Sequence, residues 1–167
     1  MIKNNKGFTL IEVMVALTVF ALVATGVLWI YVNGYISYAK NNQKIEVQEN
    51  LRIALNKMSR GIRQATVCID VYDKVKDGKP ATSGPMIKFG DLDGKIIQYS
   101  YDKTDREVEV KRGTEGSPEP IASCIENLEF QYDKIKKVVT IIIKGKPKNI
   151  SPPVYIELKT EVQGRAL

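Results

Sequence analysis

The sequence predicts an α+β protein: one long N-terminal helix, apolar in its first half and amphipathic in its second, packed on a C-terminal antiparallel β-sheet head. Three observations carry this reading. No charged residue occurs between Glu12 and Lys40, an apolar stripe in steps of four and three then runs to Ala65, and beyond Val67 the hydrophobic period falls to two. The 167 residues suffice for one ordinary domain. With 44% hydrophobic and 26% charged residues, the composition favours neither a disordered chain nor a multi-span membrane protein.

The first seven residues, MIKNNKG, form a short basic leader. The twenty uncharged, mostly apolar residues from Val13 to Val32 would make a helix about 30 Å long, the thickness of a bilayer core. A cleaved secretory signal has a shorter apolar run of about 7–15 residues and a small-x-small site after it, so a retained anchor is expected. Lys3, Lys6 and the α-amino group should stay cytoplasmic, which places the rest of the chain outside. Ala16, Ala21, Ala24, Gly26 and Gly34 permit close helix approach, or are ordinary membrane-helix composition. No proline interrupts the chain before Pro80.

Glu12 is the anomaly in this segment, because a carboxylate in lipid is costly without a partner. From position alone it can sit at the cytoplasmic interface in the first helical turn, where the helix dipole favours an anion.

From Lys40 to Ala65, Leu51, Leu55, Met58, Ile62 and Ala65 form the apolar stripe, with Arg52, Asn56, Lys57, Arg60 and Arg63 off it. A helix from about Thr9 to Thr66 would be near 90 Å long at about 1.5 Å per residue. Strands are then expected at Val67–Tyr72, Met86–Phe89, Ile96–Tyr101, Glu107–Lys111, Leu128–Tyr132, Val138–Ile143 and Val154–Val162. Turn-rich text separates them: Asp77 to Pro80, Ser83 to Pro85, Asp93-Gly94, and Gly113 to Pro120.

Composition excludes much chemistry. There is no histidine, which removes imidazole bases and His-ligated metals, and Cys68 and Cys124 are too few and too far apart for a cysteine zinc site. Exported together, the two cysteines can close a loop of 56 residues, worth roughly 4 kcal/mol in the entropy model, or remain two buried thiols; the bridge is the expectation. The formal charge is +6, and +4 without Lys3 and Lys6. Lys134, Lys136, Lys137, Lys144, Lys146 and Lys148 surround one apolar strand. They are expected to guard a sheet edge, with DNA contact as the alternative, although no aromatic or arginine stripe accompanies them. Asp91-Leu92-Asp93-Gly94 lacks the alternate ligands of a calcium loop and reads as a hairpin turn. No catalytic constellation, metal site or cofactor is implied.

Gly7-Phe8-Thr9-Leu10-Ile11-Glu12-Val13 resembles the prepilin signature of type IV pilins and type II secretion pseudopilins: a basic leader ending in Gly, an aromatic first mature residue, and Glu as its fifth. The resemblance implies cleavage by prepilin peptidase between Gly7 and Phe8 and methylation of the new N-terminus at Phe8. It also implies an assembly role for Glu12 in pairing with a subunit amine. An ammonium at Phe8, one turn from Glu12, is the partner a carboxylate in lipid needs.

Asn50 to Ala65, and Ile121 to Tyr132 followed by a closing strand near Arg165, are loosely similar to W-type minor pilins and J-type minor pseudopilins. That similarity implies a subunit that primes or caps a filament, with other pilins and an inner-membrane assembly platform as partners. A competence pseudopilin contacting DNA is the alternative. The expected organisation is leader 1–7, transmembrane and filament-core helix 8–39, amphipathic helix 40–66 and β-rich head 67–167.

Overall fold

The computed structural model describes residues 7–74, 78–148 and 150–164, with backbone alone at 67 and 68. Lys3, Lys6, Asp77 and Arg165 lie outside the described residues. One helix, α1, is present among the described residues and runs from Leu10 to Arg63 over 54 residues. It is long and apolar enough to cross a membrane, and the 18-residue window that qualifies it has no buried residue. The chain divides into two compact units, Met1–Asn42 and Gln43–Leu167.

In the second unit, α1 presents Val47, Leu51, Ala54, Leu55, Met58 and Ile62 to the core, the 3.6-residue stripe that amphipathic packing requires. The helix stops at Arg63, before the expected Thr66. Gln64 and Ala65 close tighter turns onto the carbonyls of Gly61 and Ile62 at 3.1 Å each, as helix ends commonly do. Thr66 then joins the sheet, its N–H donating to Gly90 O at 2.9 Å and its hydroxyl to Asp91 O at 2.9 Å.

Among the described residues ten strands follow: β1 Val67–Tyr72, β2 Pro80–Ala81, β3 Ser83–Gly84, β4 Met86–Gly90, β5 Ile96–Asp102, β6 Glu107–Arg112, β7 Glu119–Ala122, β8 Ile125–Asp133, β9 Val138–Gly145 and β10 Ile156–Gln163. Every pairing is antiparallel. The strands form two sheets, ordered β2-β1-β4-β5-β6-β7 and β10-β9-β8-β3. All seven expected strands are present. The short β2, β3 and β7 occupy stretches expected to be turns. Pro80 and Pro120 lie on the outermost strands β2 and β7, where a missing donor is tolerated. Asp91 to Gly94 forms the expected hairpin turn, with Gly94 at φ 71° donating to Asp91 O at 2.9 Å.

The core unites both sheets and the helix: Phe89 and Ile87 from the first sheet, Phe130, Leu128, Ile141 and Ile143 from the second, with Leu51, Met58 and Ile62 of α1. Two glycines set how closely the helix approaches. Gly145 of β9 lies under Val47 and Leu51, and Gly61 of α1 faces Tyr99 and Phe89. Arg106, at φ 59° in the β5–β6 turn, ties the sheets together. Its guanidinium lies 2.6 Å from Glu126 and donates to Ile125 O at 3.4 Å, and its carbonyl accepts from Ile125 N–H at 3.0 Å. The Tyr101 hydroxyl donates to Glu126 O at 3.0 Å beside it.

Candidate functional site

The N-terminal turn holds Gly7, Phe8 and Glu12, the residues that the sequence singles out. Gly7, Phe8 and Thr9 precede the helix and Leu10 opens it, so Thr9 is the N-cap and Glu12 the third helical residue. The Thr9 N–H and hydroxyl donate to Glu12 Oε2 at 2.9 and 2.8 Å, and the Glu12 N–H points back to Thr9 Oγ1 at 3.4 Å. This is a reciprocal capping box, which satisfies donors that a helix start otherwise leaves bare.

Phe8 is 89% exposed. With Glu12, Val13, Ala16, Leu17 and Phe20 it lines an open groove of about 560 Å³ along one face of the helix. Spacings of three to five residues place these side chains on one stripe. The carboxylate thus lies beside an apolar surface, and its hydrogen bonds among the described residues come from Thr9. Thr9 caps the helix and holds the Glu12 carboxylate. Its signal is plain in Thr9-Leu10-Ile11-Glu12, the S/T-x-x-E pattern of a capping box.

The six lysines do not form one site. Lys134, Lys136 and Lys137 lie in the turn between β8 and β9, while Lys144, at the end of β9, and Lys146 and Lys148 beyond it lie at the other end of the hairpin. The eight residues of β9 separate the groups by roughly 25 Å at about 3.3 Å per residue. Lys144 pairs with Glu157 at 2.8 Å, which holds its amine above the usual lysine range, and Lys146 lies 5.7 Å from the Tyr155 ring centroid. In the other group, Asp133 accepts the N–H groups of Ile135 and Lys136 at 2.9 and 3.1 Å. These bonds, that from Lys136 first, hold its carboxyl below the ordinary range.

Cys124 is half-buried, at φ 63°, and forms no disulfide among the described residues; the Cys68 side chain, and with it the expected bridge, lies outside them.

A recess of about 490 Å³ lies between the last turns of α1 and the first sheet, with Lys57, Arg60, Tyr99, Arg112 and Glu119 among its lining residues. Arg112 and Glu119 pair at 2.9 Å, and the Tyr99 hydroxyl donates to Lys57 O at 3.4 Å. Burial pushes the Tyr99 phenol above its ordinary range, Arg112 working against this and Asp91 with it. A phenol held protonated is the opposite of an activated nucleophile.

Comparison with known proteins identifies the N-terminal segment. Residues 2–28 match the family described as the prokaryotic N-terminal methylation motif. The segment is therefore type IV prepilin-like, and it continues into an α+β body of pilin-like architecture. No curated protein and no solved structure matches the chain.

Proposed function

We propose that this chain is a minor pilin or pseudopilin, a structural subunit that primes or caps a type IV pilus or type II secretion-like pseudopilus. Prepilin peptidase cuts between Gly7 and Phe8, and the new terminus becomes N-methylphenylalanine. Before assembly, the helix spans the cell membrane with its N-terminus cytoplasmic and its head outside. In the filament it packs against the helices of other pilins, delivered through the inner-membrane assembly platform. The minor role rests on the looser resemblance of residues 50–65 and 121–132.

The observation that supports this most is the position of Glu12 in the exposed apolar groove beside Phe8. Cleavage at Gly7 would place an ammonium on Phe8, the residue before the N-cap. A carboxylate already aimed at that turn can pair with this amine, or with that of a neighbouring subunit, and so favour one axial register. Apolar burial along the helices would supply the bulk of the association and the charge pair its specificity.

The intact mass of the protein from its native membrane, taken without reductant, tests the pathway. Loss of Met1 to Gly7 with gain of one methyl is expected, and a further loss of two hydrogens would register the Cys68–Cys124 bridge. A full-length mass from peptidase-competent cells overturns the reading. Glu12→Ala should be inserted and processed yet absent from sheared filaments, and normal incorporation would refute its role in assembly.

A further inference from the structure

We propose that the outer edge of β10 is a self-pairing surface, on which a second copy of this chain adds its own β10 antiparallel with the two Thr160 residues face to face. The contacts of this pairing lie in the second unit alone, and only the membrane that concentrates the copies rests on the proposed anchoring of the N-terminal helix. β10 is the end strand of its sheet, bonded to β9 on one side, and among the described residues no strand covers the other. At eight residues it is far longer than the terminal strands β2, β3 and β7. A long open edge offers a row of unpaired main-chain donors and acceptors, which natural proteins usually guard with charged side chains, proline, a bulge or a covering element. β10 has no proline and its pairing with β9 is unbroken; its charges, Glu157, Lys159 and Glu161, all lie on the outer face and alternate in sign, so they guard the edge against an unmatched strand and complement a second copy.

The side-chain order selects the occupant. In an antiparallel pair centred on Thr160, Lys159 lies opposite Glu161 of the second copy and Glu161 opposite its Lys159, while Leu158 meets Val162 and Glu157 meets Gln163. Opposite charges and Thr–Thr pairs directly across a ladder are favourable. Moving the centre to Lys159 sets Lys against Lys and Glu157 against Glu161, and moving it to Glu161 sets Glu against Glu. A shift by one residue would turn the core-facing side chains outward. Centring on Leu158 also matches charges but pairs only residues 156–160 of the strand, whereas the Thr160 centre pairs 157–163. In the single chain Lys159 and Glu161 meet only loosely, at 4.0 Å, so both remain able to reach across. A two-strand edge is a small interface, so pairing should appear where copies are concentrated, as in a membrane.

The test is oxidative cross-linking of the full chain in membranes, with Cys68 and Cys124 replaced by Ser. Thr160→Cys should give a covalent dimer, and Thr104→Cys, in the exposed β5–β6 turn, should not. In the Thr160→Cys background, Lys159→Glu and Glu161→Lys should each cut the yield by about fivefold or more, because two ion pairs become two like-charge contacts, and the double exchange should restore it. Native mass spectrometry of chains with their own cysteines should give the same order: wild type and double exchange dimeric, single reversals monomeric. The proposal is overturned if Thr160→Cys dimerises no better than Thr104→Cys, or if the double exchange stays as low as the single reversals.

Discussion

Val47 occupies the space that a side chain at Gly145 would need: a Cβ there would lie 2.6 Å from Val47 Cγ1 and 3.2 Å from both terminal carbons of Leu51. Both neighbours are fully buried, so neither can swing aside. Gly145→Ala should therefore cost about 1–3 kcal/mol through overpacking. Val47→Ala alone leaves a void and is also destabilising. Combined, the two changes should cost less than the sum of the singles, because the new methyl enters the vacated space. Chemical denaturation of the purified full chain in detergent measures all three.

The capping box gives a separate prediction at the other end of the helix. Thr9→Ala removes the hydroxyl that both donates to Glu12 and accepts its N–H. The first turn should lose about 1 kcal/mol, read as faster hydrogen exchange at the amides of Leu10 to Val13. Thr9→Ser should preserve protection, and global stability should stay unchanged in both.

At the junction of the sheets, Arg106 combines a left-handed backbone with an ion pair to Glu126. Arg106→Ala loses the pair and keeps the strained φ, whereas Arg106→Gly loses the pair and relieves the strain. We expect Ala to be the more destabilising by about 1 kcal/mol. Equal losses would show that the backbone contributes nothing.

Glu109 and Tyr99 are among the groups that make stability depend on pH. Burial, and then the nearby carboxylates of Asp102, Glu107 and Asp105, raise the Glu109 carboxyl above its ordinary value of 4.5. Its folded state binds the proton more tightly than the unfolded chain, so its contribution is full below 4.5 and is lost as pH rises through the folded pKa. Glu109→Gln should raise the melting temperature at neutral pH and lose that advantage in acid. Tyr99, raised above 10.0 chiefly by burial, follows the same sign in the alkaline range. Its phenolate should appear late in an absorbance titration, with that of Tyr101, which burial also raises, and Tyr99→Phe should reduce the late step by one phenol.

The parts that can be read from sequence are those governed by short-range pattern. The Leu51 to Ile62 stripe announces a helix face because spacing alone determines it, and β10 announces itself by alternation from Ile156 to Val162. The division into two sheets was not legible. That β1 lies beside β4, and β3 beside β8, depends on contacts between residues distant in sequence, which no local pattern records. β7 is hidden because Pro120 speaks for a turn until a free edge is available for it. The lysines mislead for a related reason: Lys137 and Lys144 are close in sequence, but an extended strand carries them to opposite ends of a hairpin. At the N-terminus the Thr9 and Glu12 box was readable from its spacing, and attention to the charge of Glu12 concealed its hydrogen bonds.

Gly61 carries a consequence for the order in which the molecule forms. A glycine inside a helix costs about 1 kcal/mol relative to alanine, and this one gives the Tyr99 hydroxyl and the Phe89 ring room to approach. The final turns of α1 are therefore weak helix when alone and are held by β4 and β5 when these are present. During folding, the helix should reach Arg63 only after the β4–β5 hairpin has closed against it. The last turn would then be among the late pieces of structure to lock, although it lies in the most regular element of the chain.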